Sequence, residues 1–301
     1  INHELLKSQE QRVCRFGWMD FIDEKDVSKA LFDQVASYAA EHGLDTLVGP
    51  MGFLEFDAAG VVVEGFKELP TAYGKYNYPY YEEHYTAYGF VKDVDFVEYR
   101  INIPDEIPSR YVKAADLVAE RYGLREVCVG SISKLMRQGY VDKLFDCMNE
   151  GYSKIHGFTR LTPGQCEDLK KQFVPNLSGD LVSAIADKDD RIVGFGICMP
   201  SLAKALQKCN GSLFPFGWIH ILRAVKHNDT MDTLLIAIRD EYSNKGVIAM
   251  IFAKIIQGVR NHGIKYVEST RELETNLNVQ NLWGRYDRRI TKRARVYIKS
   301  I

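Results

Sequence analysis

At 301 residues the chain is too long for one ordinary compact domain and suits two. A hydrophobic fraction of 46% with 26% charged residues is the composition of a globular protein. Lys and Arg total 39 against 40 Asp and Glu, a net charge of −1, which excludes an overall basic pull toward nucleic acid or a membrane surface.

The chain opens at Ile1 on the polar run INHELLKSQEQ, and part of the natural N-terminus is expected to precede it. RFGWMDFID (residues 15–23) alternates and is aromatic-rich, the pattern of a half-buried strand. Asp26 then stands where it can cap a helix whose apolar positions Val27, Ala30, Leu31, Val35 and Ala39 recur at helical spacing, with a stop at His42-Gly43. TLVGP (46–50) is a short buried strand, followed by the Gly-rich GPMGFLEFDAAGVVVEGF (49–66) and the Tyr/Pro-rich YNYPYYEEHYTAYGF (76–90). A strand, DVDFVEYRINIP (93–104), closes this half, and DEIPSR with its flanking Pro104 opens an interdomain linker over 105–124.

The second half is fuller. REVCVGSI (125–132) reads as a strand, residues 133–156 as one long helix and 162–173 as another. DLVSAIAD (180–187) and RIVGFGICM (191–199), joined by the charged turn KDD, form a hairpin. Amphipathic segments SLAKALQKC and WIHILRAVK flank SLFPFG. DTLLIAIR (232–239) is a buried strand, 245–263 a helix ended by glycine, IKYVEST (264–270) a strand, LNVQNLWGRY (277–286) a short helix and ARVYIKS (294–300) the last strand. A hairpin followed by βαβ crossovers gives an α/β fold, in the α+β sense of one mixed sheet with helices on both faces.

Six cysteines (Cys14, Cys128, Cys147, Cys166, Cys198, Cys209) stand far apart without CxxC or Cys/His pairing, so reduced thiols in a cytoplasmic protein and no metal site are expected. No apolar run reaches the length of a transmembrane segment. Arg285, Arg288, Arg289, Lys292, Arg293 and Arg295 form a basic cluster that is either a solvated face or an anion contact. No G-x-S-x-G, Walker loop or H-E-x-x-H occurs. His220, His227 and His262 each stand alone on predicted helices and read as surface or structural residues.

The element order of the second half resembles that of the GNAT acyl-CoA N-acyltransferase superfamily, and LLIAIRDEYSNKGVIAMIF (234–252) is the local match. In that family the fourth strand runs into a turn, Gln/Arg-x-x-Gly-x-Gly/Ala, that opens a helix and holds the CoA pyrophosphate on backbone amides and the positive end of the helix. Gly246 matches the central glycine, while Ser243 replaces Gln/Arg and Ile248 the last Gly/Ala. The resemblance assigns CoA binding to Ile238, Arg239, Asn244, Lys245, Gly246, Val247, Ile248 and Ala249, with a strand bulge at Ile238 or Arg239 presenting an amide to the thioester oxyanion. NLNVQNLW (276–283) matches the family's Asn-led helix with Trp283 in place of a tyrosine that protonates the thiolate, a role indole cannot take and Tyr286, one turn later, could. In ESTRELETN, Glu268 or Glu274 is the candidate base for the amine, and Asn276 completes the catalytic set.

The same template fits residues 15–104 from its fourth strand onward, with an acidic turn DEKDV in place of the phosphate loop, so 1–104 reads as a partial, degenerate copy before a complete domain at 125–301. The strings GPMGF, YNYPYY, MPSLAKALQK, LFPFGW and KRARVYIK resemble a bacterial family of tandem GNAT-like proteins, some of whose relatives look like bacterial ceramide synthases. The resemblance implies acyl-CoA as co-substrate, no metal, and a small-molecule or lipid amine as acceptor, which the likeness to ceramide synthases narrows to a sphingoid-type amine receiving a long acyl chain, with no nucleic-acid partner and at most transient membrane contact. The apolar segments 199–206 and 213–222 are expected to pack in the core or to line an acyl tunnel. The alternative is a non-catalytic GNAT-like protein that binds a ligand or partner.

Overall fold

The computed structural model describes residues 12–54, 56–104, 110–128, 131–155, 158–174, 177–284 and 286–301. The opening polar run, residues 105–109 of the DEIPSR segment and Arg285 of the basic cluster lie outside the described residues. Contacts gather the chain up to Arg100, together with Ser269–Ile301, into one compact unit, and Ile101–Glu268 into a second.

The first unit begins with β1 (Val13–Arg15), α1 (Lys25–Glu41), β2 (Thr46–Gly49), β3 (Val61–Glu64), α2 (Tyr81–Ala87) and β4 (Val91–Asn102). The strand predicted over 15–23 is replaced by a shorter one. β1 pairs in parallel with β2 from Val13↔Thr46 to Arg15↔Val48. Extended pairing then ends, because Gly17 packs against the Met51 backbone and Trp18 takes a positive φ of 49°. The N-cap of α1 is Glu24, with Asp26 in the first turn instead of at the cap. Its buried face is Ser28, Phe32 and Ala39, while Val27 and Leu31 face solvent. Phe32 joins an aromatic core with Phe16, Phe21, Tyr81, Tyr85 and Phe90. Ring centroids there lie 4.3 Å apart for Phe21–Tyr81 and 4.9 Å for Phe32–Tyr85, the spacing at which aromatic pairs add to plain burial.

The second unit holds α3 (Arg110–Tyr122), β5 (Arg125–Glu126), α4 (Ile132–Arg137), α5 (Tyr140–Gly151), α6 (Pro163–Phe173), β6 (Val182–Ala186), β7 (Ile192–Pro200), α7 (Ala203–Lys208), α8 (Gly217–Lys226), β8 (Thr230–Ile238), α9 (Val247–His262) and β9 (Tyr266–Glu268). Most of the stretch read as linker is therefore the helix α3, which packs along α9. The single helix predicted over 133–156 is two, because Gly139 takes φ +73° between them. Thr162 and Gln165 form a reciprocal capping box that starts α6, with Pro163 in its first turn. The β6–β7 hairpin is held at its turn by the Asp187 carboxylate, which accepts from the Asp189 and Arg191 amides at 3.0 Å each. The sheet order is β5-β6-β7-β8-β9, antiparallel up to the parallel β8–β9 pair.

The chain returns to the first unit as β10 (Glu272–Leu273), α10 (Leu277–Trp283) and β11 (Arg288–Ser300). β11 pairs antiparallel with β3 and then β2, lies beside β4, and contributes Tyr297, stacked on Tyr85 at 4.9 Å. Arg295 forks onto the buried Asp95 of β4 at 2.8 and 3.1 Å. Burial alone would raise the Asp95 carboxyl, but Arg295 and Lys92 outweigh it and hold it below the usual range. The basic cluster thus points into ion pairs of its own sheet: Arg289 with Glu68, and Arg293 with Glu64 and Asp95. All six cysteines are free thiols. Among the described residues no helix is long and apolar enough to cross a membrane, and no three His, Cys, Asp or Glu side chains gather as a metal site.

Candidate functional site

The second unit contains one place where the sheet opens. β8 and β9 run in register through Thr230↔Tyr266, Met231↔Val267 and Asp232↔Glu268. There β9 stops, while β8 continues to Ile238 along β7. Residues Thr230–Asp232 of β8 are buried and Thr233–Ile236 only partly so, as expected of a strand whose neighbour has left. Within the same stretch Ile197 faces Leu235 and Cys198 faces Thr233, so Leu234 is an inserted residue, a bulge that re-aims the local backbone. The bulge expected at Ile238 or Arg239 is therefore at Leu234. Ile238 stays in register with Gly194, and the Arg239 amide donates to the Val193 carbonyl at 2.9 Å.

Asp232 and Glu268 lie side by side at the point of divergence, on strands about 4.8 Å apart by the geometry of pairing. Asp232 is fully buried. Beside it the Cys198 thiol is pushed up to about 12 by burial and by the Asp232 charge, which makes it inert.

Beyond β8 a 3-10 turn (Asp240–Tyr242) leads to Gly246, whose φ of +78° requires glycine and which stands at the start of α9. A Cβ there would lie 3.0 Å from the Val118 methyl of α3. Asn244 is exposed, Lys245, Gly246, Ile248 and Ala249 are partly buried, and Val247 is fully buried. At this helix start the Lys245 amide donates to the Tyr242 carbonyl at 3.0 Å and the Ala249 amide to the Gly246 carbonyl at 2.9 Å, while Val247 and Ile248 have no residue one turn back in α9 to accept from them, which leaves an electropositive helix end at a partly open turn. Lys245 lies over the Tyr242 ring at 4.3 Å and the Tyr122 ring at 5.5 Å, a cation held beside that end. Arg239 turns inward instead: its guanidinium donates to the Ile192 carbonyl at 2.6 Å and pairs with Glu150, tying the end of β8 to β7 and α5.

The other predicted catalytic residues fall in the first unit. Glu274 pairs with Lys92 at 2.5 Å and Arg293 at 3.6 Å, and its carboxylate accepts from the Asp95 amide at 3.3 Å. Asn276 caps α10 by accepting from the Val279 amide at 3.4 Å. The amide of the half-buried Tyr286 donates to the Trp283 carbonyl at 3.0 Å. Of the four, only Glu268 shares a unit with the start of α9. A carboxylate with stronger acid–base character is Glu272: burial raises it to about 7, against the hydrogen bonds from Trp283 and Ser269. The Trp283 indole N–H donates to it at 2.8 Å. The sequence signal was Trp283 itself, a half-buried donor whose indole N–H needs an acceptor. In the same unit Ser28, His84 and Asp23 form a hydrogen-bonded series of 2.7 and 2.9 Å. Ser28 is only 3% exposed and its hydroxyl also contacts the Lys25 carbonyl at 3.0 Å, so the series is a core contact and not a nucleophile. A cleft of about 510 Å³ lined by Met136, Lys170, Val174 and Leu177 includes no residue of β8, β9 or α9.

No family model matches the chain. It is similar to protein YghO of Escherichia coli (strain K12), 27% identical over 296 residues that cover 95% of this chain and 74% of the relative. It is also similar to the bacterial ceramide synthase of Caulobacter vibrioides (strain NA1000 / CB15N), 23% identical over 215 residues that cover 70% of this chain and 54% of that protein. Among solved structures, a GCN5-related glucosamine N-acetyltransferase region of a fungal multi-domain GH3 β-N-acetylglucosaminidase superposes with a TM-score of 0.51 at 11% identity, covering 90% of this chain and 27% of that one. The fold is that of the GNAT acetyltransferases. At the turn that resembles the GNAT one, Gly246 is kept, while Ser243 and Ile248 stand where the pattern has Gln/Arg and Gly/Ala.

Proposed function

We propose that the chain is an N-acyltransferase that moves an acyl group from acyl-CoA to an amine. The observation that supports it is the divergence of β8 from β9 at Asp232 and Glu268, followed by α9 starting on Gly246. In this reading the diphosphate of the carrier rests against the turn from Asn244 to Ala249, on the amides of Gly246, Val247 and Ile248, with the Lys245 ammonium alongside, and Arg239 anchors the strand beneath. The thioester lies against the bulged segment of β8 around Leu234, whose backbone stabilises the oxyanion. Glu268 takes the proton of the acceptor ammonium. The amine nitrogen then bonds to the thioester carbon, the C–S bond breaks, and CoA leaves as the thiolate, which takes up the second proton that the nitrogen releases to give the amide. Glu274 and Asn276 serve the segment that carries them, through ion pairing and helix capping, and Tyr286 packs in the same segment.

The ceramide synthase relative supports a narrower form, a long acyl chain passed to a sphingoid-type amine in the cytoplasm. The parallel β1–α1–β2 crossover of the first unit repeats β8–α9–β9, which supports a tandem origin with a degenerate first copy. Calorimetric titration with CoA, acetyl-CoA and palmitoyl-CoA, followed by mass spectrometry of products with sphinganine, tests the proposal. Palmitoyl-CoA is expected to bind at least ~100-fold more tightly than acetyl-CoA, since each buried methylene contributes about 0.8 kcal/mol. Equal affinities remove the long-chain form, and no binding of any carrier at millimolar concentration refutes acyl transfer. Binding without turnover supports the non-catalytic reading, which the replacements at Ser243, Ile248 and Trp283 favour.

A further inference from the structure

Residues 201–228 contain no Asp or Glu but carry Lys204, Lys208, Arg223 and Lys226 with His220 and His227. They fold as α7, a tip, and α8. One face of α8, formed by Gly217, Ile221 and Ala224, is turned toward the unit. Gly217 is required there, because a Cβ would meet the Ser212 carbonyl oxygen at 1.9 Å. The adjoining face is as apolar but is not covered. Trp218, Leu222 and Val225, at i, i+4 and i+7, are exposed with Ile219, and the tip adds Leu213, Phe214 at 83% and Phe216 at 69% exposure. Segment 213–222, expected in the core or around an acyl tunnel, is thus largely at the surface.

Two side-chain donors of the tip are satisfied within it. The Trp218 indole donates to the Pro215 carbonyl at 3.1 Å, and the Ser212 hydroxyl to the Phe214 carbonyl at 2.9 Å. Those two side chains can leave water without stranding their donors. Aromatic side chains at the end of a short amphipathic helix, with Arg223 and Lys226 beside them and no carboxylate in the segment, are the composition of an element lying in a bilayer interface. A two-fold contact between copies would instead set Lys208, Arg223 and Lys226 against their own counterparts, with no acid from this segment between them.

We propose that the tip and α8 dock the protein on the surface of an anionic lipid bilayer, with Phe214, Phe216 and Trp218 entering the headgroup boundary and the basic residues contacting lipid phosphates. This holds whether or not the chain transfers acyl groups. The test is co-sedimentation of the purified chain with vesicles of phosphatidylcholine alone and of phosphatidylcholine and phosphatidylglycerol in equal parts, with sedimentation velocity of the free protein. The expected result is binding to the anionic vesicles at least about tenfold stronger than to the neutral ones. Phe214→Ser/Trp218→Ser and Arg223→Glu/Lys226→Glu should each weaken it by about tenfold or more while thermal melts and circular dichroism stay as in the parent. Failure of the parent to bind anionic vesicles, or binding that both folded variants retain, overturns the proposal. So does a dimer that the Phe214→Ser/Trp218→Ser variant dissociates, which makes this face a self-association surface.

Discussion

Two glycines at opposite ends of one structural idea separate binding from stability. Gly246 starts α9 in the left-handed region, and Gly258 lies in its interior against the Asp180 carbonyl. Gly246→Ala forces φ near +78° on a residue with a Cβ, at a cost of about 1–2 kcal/mol. The new methyl meets the Val118 methyl at 3.0 Å, a contact that a shift of a few tenths of an ångström relieves. For a unit of this size each kcal/mol lowers Tm by about 2–4 °C, so a fall of about 2–8 °C follows. Gly258→Ala would gain about 1 kcal/mol from helix propensity alone. Its Cβ, however, would lie 2.0 Å from the Asp180 oxygen, and overpacking of that kind costs about 1–3 kcal/mol. Both variants are thus destabilised, the second against its propensity. Their effects on ligand should diverge. Gly246→Ala disturbs the amides proposed to hold the diphosphate and should raise the Kd for CoA by about tenfold or more, whereas Gly258→Ala should leave it within about twofold. Differential scanning fluorimetry supplies the Tm values and calorimetry the Kd. An unchanged Kd for Gly246→Ala, or Kd values that follow Tm in both variants, refutes the assignment of the α9 start.

Glu268→Gln removes the proposed base while keeping its shape, so kcat/KM should fall by about 10²–10⁴-fold with the Kd for CoA unchanged; full turnover in the variant excludes Glu268. Glu272 gives a pH signature independent of turnover. Its carboxyl stands at about 7 in the fold against the ordinary 4.5, chiefly through burial, so the folded state holds the proton more tightly than the unfolded one. Stability from this group is complete below about 4.5 and is lost as pH rises through about 7. Glu272→Gln should therefore stabilise the protein by about 2 kcal/mol at pH 8 and little at pH 5, read by denaturant melts at both. Arg295→Met leaves the buried Asp95 carboxylate without its forked partner and should cost about 3 kcal/mol or more, with Asp95→Asn/Arg295→Met together costing less than the single change.

The parts of the fold that were legible are those where side-chain pattern and backbone agree. The hairpin around KDD, the helix over 162–173 and the strand–glycine–helix run through Gly246 all announce themselves in residue type. The strand predicted over 15–23 was not legible, because its aromatic alternation is real but serves a core cluster reached through a positive φ at Trp18. Nor was the return of β11 to the first unit, since nothing local to ARVYIKS says that its partner strands lie more than two hundred residues back. Tertiary pairing overrides sequence proximity there. α8 misled for a related reason: an apolar helical stripe looks the same whether the surface it seeks belongs to the protein or lies outside it.

The geometry of the proposed site depends little on side-chain type. Its proposed donors are main-chain amides at the start of α9, and its opening is a difference in strand length between β8 and β9. Neither depends on the side chains at Ser243 or Ile248, so those positions are free to drift, whereas Gly246 is not, because only glycine takes its φ without strain. The bulge at Leu234 is the same kind of feature, a count of residues between Thr233 and Leu235 and not a residue type. A side chain does decide at Trp283. Its indole N–H donates to Glu272 at 2.8 Å, the carboxylate in this segment that burial raises to about 7.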